Sequence, residues 1–137
     1  PTESASITRE GAILGTLQYM APEQIQGKEA DAHADLWALG AMLYEMVSGK
    51  RPFTGDNPAS LMGAILERDP PSLSTALPVS PPSLDRLLRR CLAKSPDERW
   101  ESARDLADQL RWIAHDVERG ETQSASAAAR PRCLLSW

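Results

Sequence analysis

The sequence GTLQYMAPE at residues 15–23 is followed closely by DLWALG at residues 35–40, and these two segments determine the architecture. Pro22 lies where the first position of a short helix is expected, because the missing N–H of proline costs nothing there. The second stretch opens a helix over residues 35–48, whose apolar side chains cover almost its whole circumference, and Gly49 follows it. A helix that is apolar all round is buried on most sides. The sequence therefore predicts a core built around this helix.

Three further helices are predicted towards the C-terminal end, separated by connections rich in proline or polar residues. The first covers residues 58–67, and the second follows Ser80, which is the expected N-cap. Ser102 is placed to open the last helix through a capping box, and we expect Gly120 to end that helix. Because no segment shows the alternation of a convincing strand, the predicted fold class is mainly α.

Composition and charge narrow the class of protein. The chain has 137 residues, 42% hydrophobic and 25% charged, which suits one soluble domain. Its net charge of −4 argues against a nucleic-acid-binding protein, which usually presents a basic face. Cys91 and Cys133 lack the spacing of a metal site or a disulfide framework, so a reducing, cytoplasmic location is expected. No apolar run approaches the roughly 20 residues that a membrane-spanning helix needs.

In this order and at this spacing, the two stretches resemble the end of the activation segment and the following buried helix of eukaryotic-like bacterial serine/threonine protein kinases. The resemblance covers roughly Thr8 to Glu118 and includes a Pro52-Phe53 turn and an arginine, Arg99, at the expected place. It implies the helical C-terminal lobe of a protein-kinase-like fold, without the N-terminal β lobe. It also implies transfer of the γ-phosphate of ATP to serine and threonine hydroxyls of a protein substrate.

The resemblance implies a division of the chain and a set of substrate-binding residues. Residues 1–119 would form a partial kinase domain, comprising the end of the activation segment and the C-lobe helices, and residues 120–137 a disordered tail or linker. In the family, the threonine at the position of Thr16 bridges the catalytic aspartate and a catalytic-loop lysine. The wall that receives the residue after the phosphoacceptor would comprise Leu17, Tyr19 and Met20. Simple packing is the alternative for these apolar side chains, and a solvated turn for Thr16.

Other positions have structural roles in the family. The resemblance implies that Glu23 pairs with Arg99, an ion pair that an arginine can make bidentate. Asp35 would accept hydrogen bonds from the backbone of the catalytic loop, although an aspartate near a helix N-terminus is also favoured by the helix dipole alone. The remaining positions of the structural motif are Gly15, Ala21, Pro22, Trp37 and Gly40. Thr8 is the best placed of the candidate phosphorylation sites in the activation loop.

The sequence has no Gly-rich phosphate loop, no His-Arg-Asp and no Asp-Phe-Gly, the motifs on which kinase chemistry depends. We expect these to precede Pro1, so no catalytic residue and no metal ligand is assigned to this chain. ATP and Mg²⁺ would serve the complete kinase, and neither is expected to bind this chain alone. The expected partners are a protein substrate and the missing N-terminal part of the kinase domain, with no nucleic acid.

Two alternatives remain open at the level of the sequence. The chain could be a non-catalytic remnant of a kinase lobe that acts as a protein-interaction module. The chain could also be an unrelated all-helical adaptor, but every motif match would then have to occur in this order by coincidence. Within the kinase interpretation, the location of this part is expected to be cytoplasmic, whereas the full-length protein could be membrane-anchored, since related bacterial kinases often continue into a membrane span.

Overall fold

The computed structural model describes residues 15–129, with side chains described through Gly120. This part of the chain contains helices and connecting loops and no strand, which confirms the predicted mainly α class. A single 3-10 turn, Pro96–Glu98, precedes the last helix. The α-helices are α1 (Pro22–Ile25), α2 (Ala32–Ser48), α3 (Pro58–Glu67), α4 (Leu73–Ala76), α5 (Pro82–Cys91) and α6 (Ala103–Ala129).

Helix α2 is the centre of the core, as the sequence predicted. It begins at Ala32, one turn before the predicted start, because the side chain of Asp31 accepts a hydrogen bond from the His33 N–H at 2.9 Å and caps the helix. It ends at Gly49, whose φ of 73° is the left-handed conformation that favours glycine at this position. Trp37 is fully buried and stacks on the ring of Phe53, with 5.5 Å between the ring centroids.

Helices α2 and α5 are in close contact at Gly40. A Cβ atom placed on Gly40 would overlap the Cβ of Cys91 on α5. Cys91 is fully buried, and desolvation raises the pKa of its thiol to about 12, so the side chain is a packing group and not a nucleophile. The absence of a side chain at position 40 is therefore what allows the two helices to pack this closely.

One face of α2 differs from the prediction that this helix is buried on most sides. The side chains of Met42 and Met46 are 48% and 72% exposed. Towards the other side, Leu36 and Tyr44 are buried in the core. The helix is thus covered on one side by the described residues and carries an apolar strip on the other.

The connection before α5 was predicted as a loop, but it contains the short helix α4. Asp85, on α5, accepts hydrogen bonds from the Leu73 N–H at 2.9 Å and the Ser72 hydroxyl at 3.2 Å. This cap comes from another helix, so no local pattern reveals it. The predicted N-cap of α5 was also wrong: the cap position is Pro81, and no side chain caps the helix, so Ser80 does not fill that role.

The last helix was predicted to end at Gly120, and this prediction was wrong because α6 continues to Ala129. Glycine ends a helix when it adopts a positive φ, and in the described residues Gly27 and Gly49 do so whereas Gly120 does not. The alanines and polar residues that follow favour a helix strongly enough to offset the roughly 1 kcal/mol that an interior glycine costs. Residues 121–129 are thus part of α6, residues 130–137 lie outside the described part, and the assignment of residues 120–137 to a tail or linker stays a prediction.

Candidate functional site

A buried ion pair fixes the segment GTLQYMAPE to the C-terminal helices. The guanidinium of Arg99 donates to both carboxylate oxygens of Glu23, at 2.6 Å and 2.8 Å, and neither residue is more than 6% exposed. Arg99 also donates to the carbonyl oxygens of Ala93 at 2.8 Å, His33 at 3.0 Å and Lys94 at 3.3 Å. The predicted pairing is thus confirmed, and the arginine additionally joins two backbone segments, at His33 and at residues 93–94.

The charge of Glu23 is stabilised by its partner. Burial by itself would raise the pKa of the carboxyl group, but the hydrogen bonds from Arg99, helped by a backbone hydrogen bond, outweigh burial and lower the pKa below its ordinary value. The guanidinium also lies over the indole of Trp37, 5.0 Å from the ring centroid, in a cation–π contact. The ion pair, the indole and the carbonyl groups thus form one connected unit.

The residues predicted to bind substrate lie directly before this unit. Thr16 is exposed, whereas Leu17 is 6% exposed and belongs to the core. Met20 is partly buried and packs against the same core. The burial of Leu17 and Met20 fits the packing interpretation, and the substrate-binding roles of all four residues stay predictions.

Tyr19 connects this segment to helix α2. Its ring is 38% exposed, and its hydroxyl donates to the carboxylate of Glu45 at 3.2 Å. Glu45 also makes an ion pair with Arg51, with 3.6 Å between Nε and Oε1. Sequence reasoning gave neither Glu45 nor Arg51 a role, because Arg51 occupies an unspecified position of the turn before Pro52 and the contact of Glu45 with Tyr19 spans separate elements.

The remaining motif residues take different places. Ala21 is fully buried, and its N–H donates to the side-chain oxygen of Gln24 at 2.9 Å, which helps to start α1. No atom of the described residues lies within 4 Å of the position that a Cβ on Gly15 would take. Asp35 is exposed in the first turn of α2, which fits stabilisation by the helix dipole, and its catalytic-loop role stays a prediction. Thr8 lies outside the described residues.

Lys94 is a half-buried cation that sequence reasoning missed. Its Nζ donates to the carbonyl oxygen of Ile65 at 2.6 Å, in the last turn of α3, and lies 4.4 Å from the centroid of the Phe53 ring. Desolvation, together with the positive charge of Arg99, lowers the pKa of Lys94 to about 8, against the opposing effect of Asp69. The carbonyl oxygen of Ile65 has no hydrogen-bond partner within α3, because it lies in the last turn of that helix. The hydrogen bond from Lys94 therefore connects α3 to the loop that carries Arg99.

The lowered pKa of Lys94 predicts a pH-dependent stability. Between about pH 8 and the ordinary value of 10.5, the unfolded chain holds a proton that the folded chain has released, so raising the pH favours folding. In urea titrations, the stability of the wild type relative to Lys94→Met should therefore rise from pH 7 to pH 9, by less than about 1.4 kcal/mol per pH unit.

Comparison with Lys94→Met isolates this group, because the buried thiol of Cys91 titrates in both proteins. Lys50→Met, which removes an exposed amine, is the control and should give a curve parallel to that of the wild type. A Lys94→Met curve that is also parallel to the wild type would contradict the assignment.

The structure also bears on the ATP and Mg²⁺ that the resemblance implies. Among the described residues, no three histidine, cysteine, aspartate or glutamate side chains come together in a group that could hold a metal ion. In the same part of the chain, no helix combines the length and the apolar character that crossing a membrane requires.

Comparisons with known proteins agree with the motifs. A family model of the protein kinase domain matches residues 3–112. The serine/threonine-protein kinase PknB of Mycobacterium leprae is 36% identical over 135 residues, which are 98% of this chain and 21% of that protein. PknB of Mycolicibacterium smegmatis is 38% identical over 107 residues, covering 77% of this chain and 17% of that protein. PknL of Mycobacterium tuberculosis is 36% identical over 114 residues, which cover 83% of this chain and 29% of that protein.

The chain thus spans less than a third of the length of these relatives. Its helical architecture and its buried Glu23–Arg99 pair match what the sequence motifs predicted. The chain belongs to the protein kinase family, and it is the helical, C-terminal part of a bacterial-type serine/threonine kinase catalytic domain.

Proposed function

We propose that this chain supplies the substrate-side part of a kinase that transfers the γ-phosphate of ATP to serine and threonine hydroxyls of proteins. The observation that carries the proposal is the buried, bidentate Glu23–Arg99 pair. It anchors the end of the segment that holds the proposed substrate-binding residues, and its bonds to backbone carbonyls make that anchor rigid. Rigid support of this kind is what positions a substrate for reaction.

Three contacts hold the segment at residues 15–23, while Thr16 stays exposed at the surface. Leu17 is anchored in the core, Tyr19 is hydrogen-bonded to Glu45, and Glu23 is paired with Arg99. The proposed role of Thr16 is to position the catalytic groups of the complete kinase, and that of Leu17, Tyr19 and Met20 is to shape the surface beside the phosphoacceptor. ATP and Mg²⁺ would supply the phosphoryl group and its charge neutralisation in the complete enzyme.

We expect the isolated chain to transfer no phosphate, because its sequence contains none of the nucleotide-binding and catalytic-loop motifs. The positioning role is tested in a chimera of PknB from M. leprae whose matching segment is replaced by residues 15–120 of this chain. In that chimera, Thr16→Ala should lower kcat/KM for a protein substrate at least about tenfold, whereas Thr16→Ser should retain most of the activity.

The control is Thr75→Ala, which removes an exposed threonine hydroxyl on α4. Equal activities of the Thr16→Ala and Thr75→Ala chimeras would refute the role of Thr16. Metal-dependent phosphotransfer by the pure, isolated chain would refute its expected inactivity.

The alternative is a kinase-lobe remnant that acts as a protein-interaction module. The exposed Met42 and Met46 on α2 favour it, because contiguous exposed apolar side chains mark interaction surfaces. A folded chimera that transfers no phosphate would favour this alternative over the kinase function.

A further inference from the structure

A groove of about 320 Å³ lies between α5, the loop that contains Trp100, and α6. Its lining includes two arginines, an indole, an amide and two apolar side chains, namely Arg86, Arg90, Trp100, Gln109, Leu87 and Ile113. We call it the Arg86–Arg90 groove. None of these residues belongs to the segment that the proposed function uses, so the groove is a separate feature of the molecule.

One of the two positive charges of this groove, that of Arg90, is held in place. The guanidinium of Arg90 stacks over the ring of Trp100, 4.1 Å from its centroid. The indole is itself fixed, because its Nε1 donates to the carbonyl oxygen of Leu87 at 3.3 Å. Arg86 precedes Arg90 by four residues on α5 and therefore lies on the same side of the helix. A stacked guanidinium loses less conformational freedom when it binds an anion than a mobile one does.

The two arginines have no acidic partner in the part of the chain that the structure describes. Arg89, between them, makes an ion pair with Asp85 at 3.1 Å, but no ion pair is formed by Arg86 or Arg90 with a described residue. The lining residues among residues 15–120 include no carboxylate. Since the whole chain has a net charge of −4, this groove is a local positive site on an acidic protein.

We propose that the Arg86–Arg90 groove docks an acidic peptide segment of a partner protein. A carboxylate of that segment would lie between the two guanidinium groups, which match its geometry with paired N–H donors. A neighbouring apolar side chain would contact Ile113, which lines the groove and is only partly buried. The overall negative charge of the chain opposes long, uniformly anionic ligands such as nucleic acids, whereas a short segment that combines a carboxylate with an apolar group fits the mixed lining.

The test uses the full 137-residue chain and a fluorescently labelled peptide in which glutamate alternates with leucine, measured by fluorescence polarisation. We expect the glutamate peptide to bind and the same peptide with glutamine in place of glutamate to bind at least about tenfold more weakly. The double substitution Arg86→Gln with Arg90→Gln should weaken binding of the glutamate peptide by a similar factor. Arg68→Gln, which removes an exposed arginine beyond α3, should leave the affinity unchanged.

A variant with reversed charge distinguishes a loss of peptide binding from a loss of folding. Arg86 is exposed, so Arg86→Glu should fold, and it should bind a lysine–leucine peptide better than the wild type does. The proposal is overturned if the glutamine peptide binds as tightly as the glutamate peptide, or if Arg68→Gln weakens binding as much as the double substitution. Binding of a phosphopeptide or an RNA oligonucleotide, without binding of the glutamate peptide, would also overturn it.

Discussion

Arg99→Ala is expected to lower the free energy of unfolding by roughly 3–5 kcal/mol, because it leaves the buried carboxylate of Glu23 without its partner. The same substitution removes the donors to the carbonyl oxygens of Ala93, His33 and Lys94. Urea titration monitored by circular dichroism would measure the loss. Arg99→Lys should recover little of the stability, since an ammonium group cannot make the two parallel hydrogen bonds to Glu23.

The control for this prediction is Arg111→Ala. Arg111 makes an ion pair with Asp108 at 3.1 Å, but its side chain is 78% exposed, so its loss should change the stability by less than about 1 kcal/mol. Equal effects of Arg99→Ala and Arg111→Ala would contradict the structural role of the buried pair.

The pH dependence of the stability gives a second measurement on Glu23. Because the folded pKa lies below the ordinary value of 4.5, the stabilisation is present at neutral pH and is lost as the pH falls through the folded pKa. Glu23→Gln should remove this part of the acid sensitivity. If the stability of Glu23→Gln falls with decreasing pH as steeply as that of the wild type, Glu23 is not a source of the acid sensitivity.

Gly40→Ala is the second substitution for which we expect a large effect. Its new methyl group would overlap the Cβ of the fully buried Cys91, so α2 and α5 would have to separate. Overpacking of this kind typically costs about 1–3 kcal/mol, and Gly40→Val should cost more. Thermal and urea unfolding would measure the loss, and the double variant Gly40→Ala with Cys91→Gly should show a favourable coupling, because it removes the overlapping atom.

Gly63 offers a matched control. It is also a helical glycine, in α3, but a Cβ placed there would meet no atom within 4 Å. Gly63→Ala should therefore leave the stability unchanged or raise it by up to about 1 kcal/mol, through helix propensity. A loss of stability at Gly63 as large as that at Gly40 would show that close packing of α2 on α5 is not the cause.

The sequence predicted those parts of the molecule that depend on local patterns. The start of α1 at Pro22, the end of α2 at Gly49 and the bounds of α3 agree with the structure, because each rests on cap residues and apolar periodicity within a few positions. The Glu23–Arg99 pair was reached through the family resemblance and not through spacing, since 76 residues separate its members.

The features that sequence reasoning missed depend on contacts between distant elements. The capping of α4 by Asp85 and the hydrogen bond from Lys94 to Ile65 join residues 12 and 29 positions apart. The continuation of α6 beyond Gly120 was missed for another reason: a glycine stops a helix through its backbone conformation, which its presence alone does not determine. The Arg86–Arg90 groove likewise arises where α5, α6 and the Trp100 loop meet.

The long separation between Glu23 and Arg99 has a consequence for how the chain reaches its folded state. Closing a loop of 76 residues costs conformational entropy that neighbouring contacts along α5 and α6 do not incur. We therefore expect the pair to form after those helices have packed, and to contribute more to slow unfolding than to fast folding. On this expectation the segment at residues 15–23 is secured late in folding, and once formed its buried pair retards unfolding.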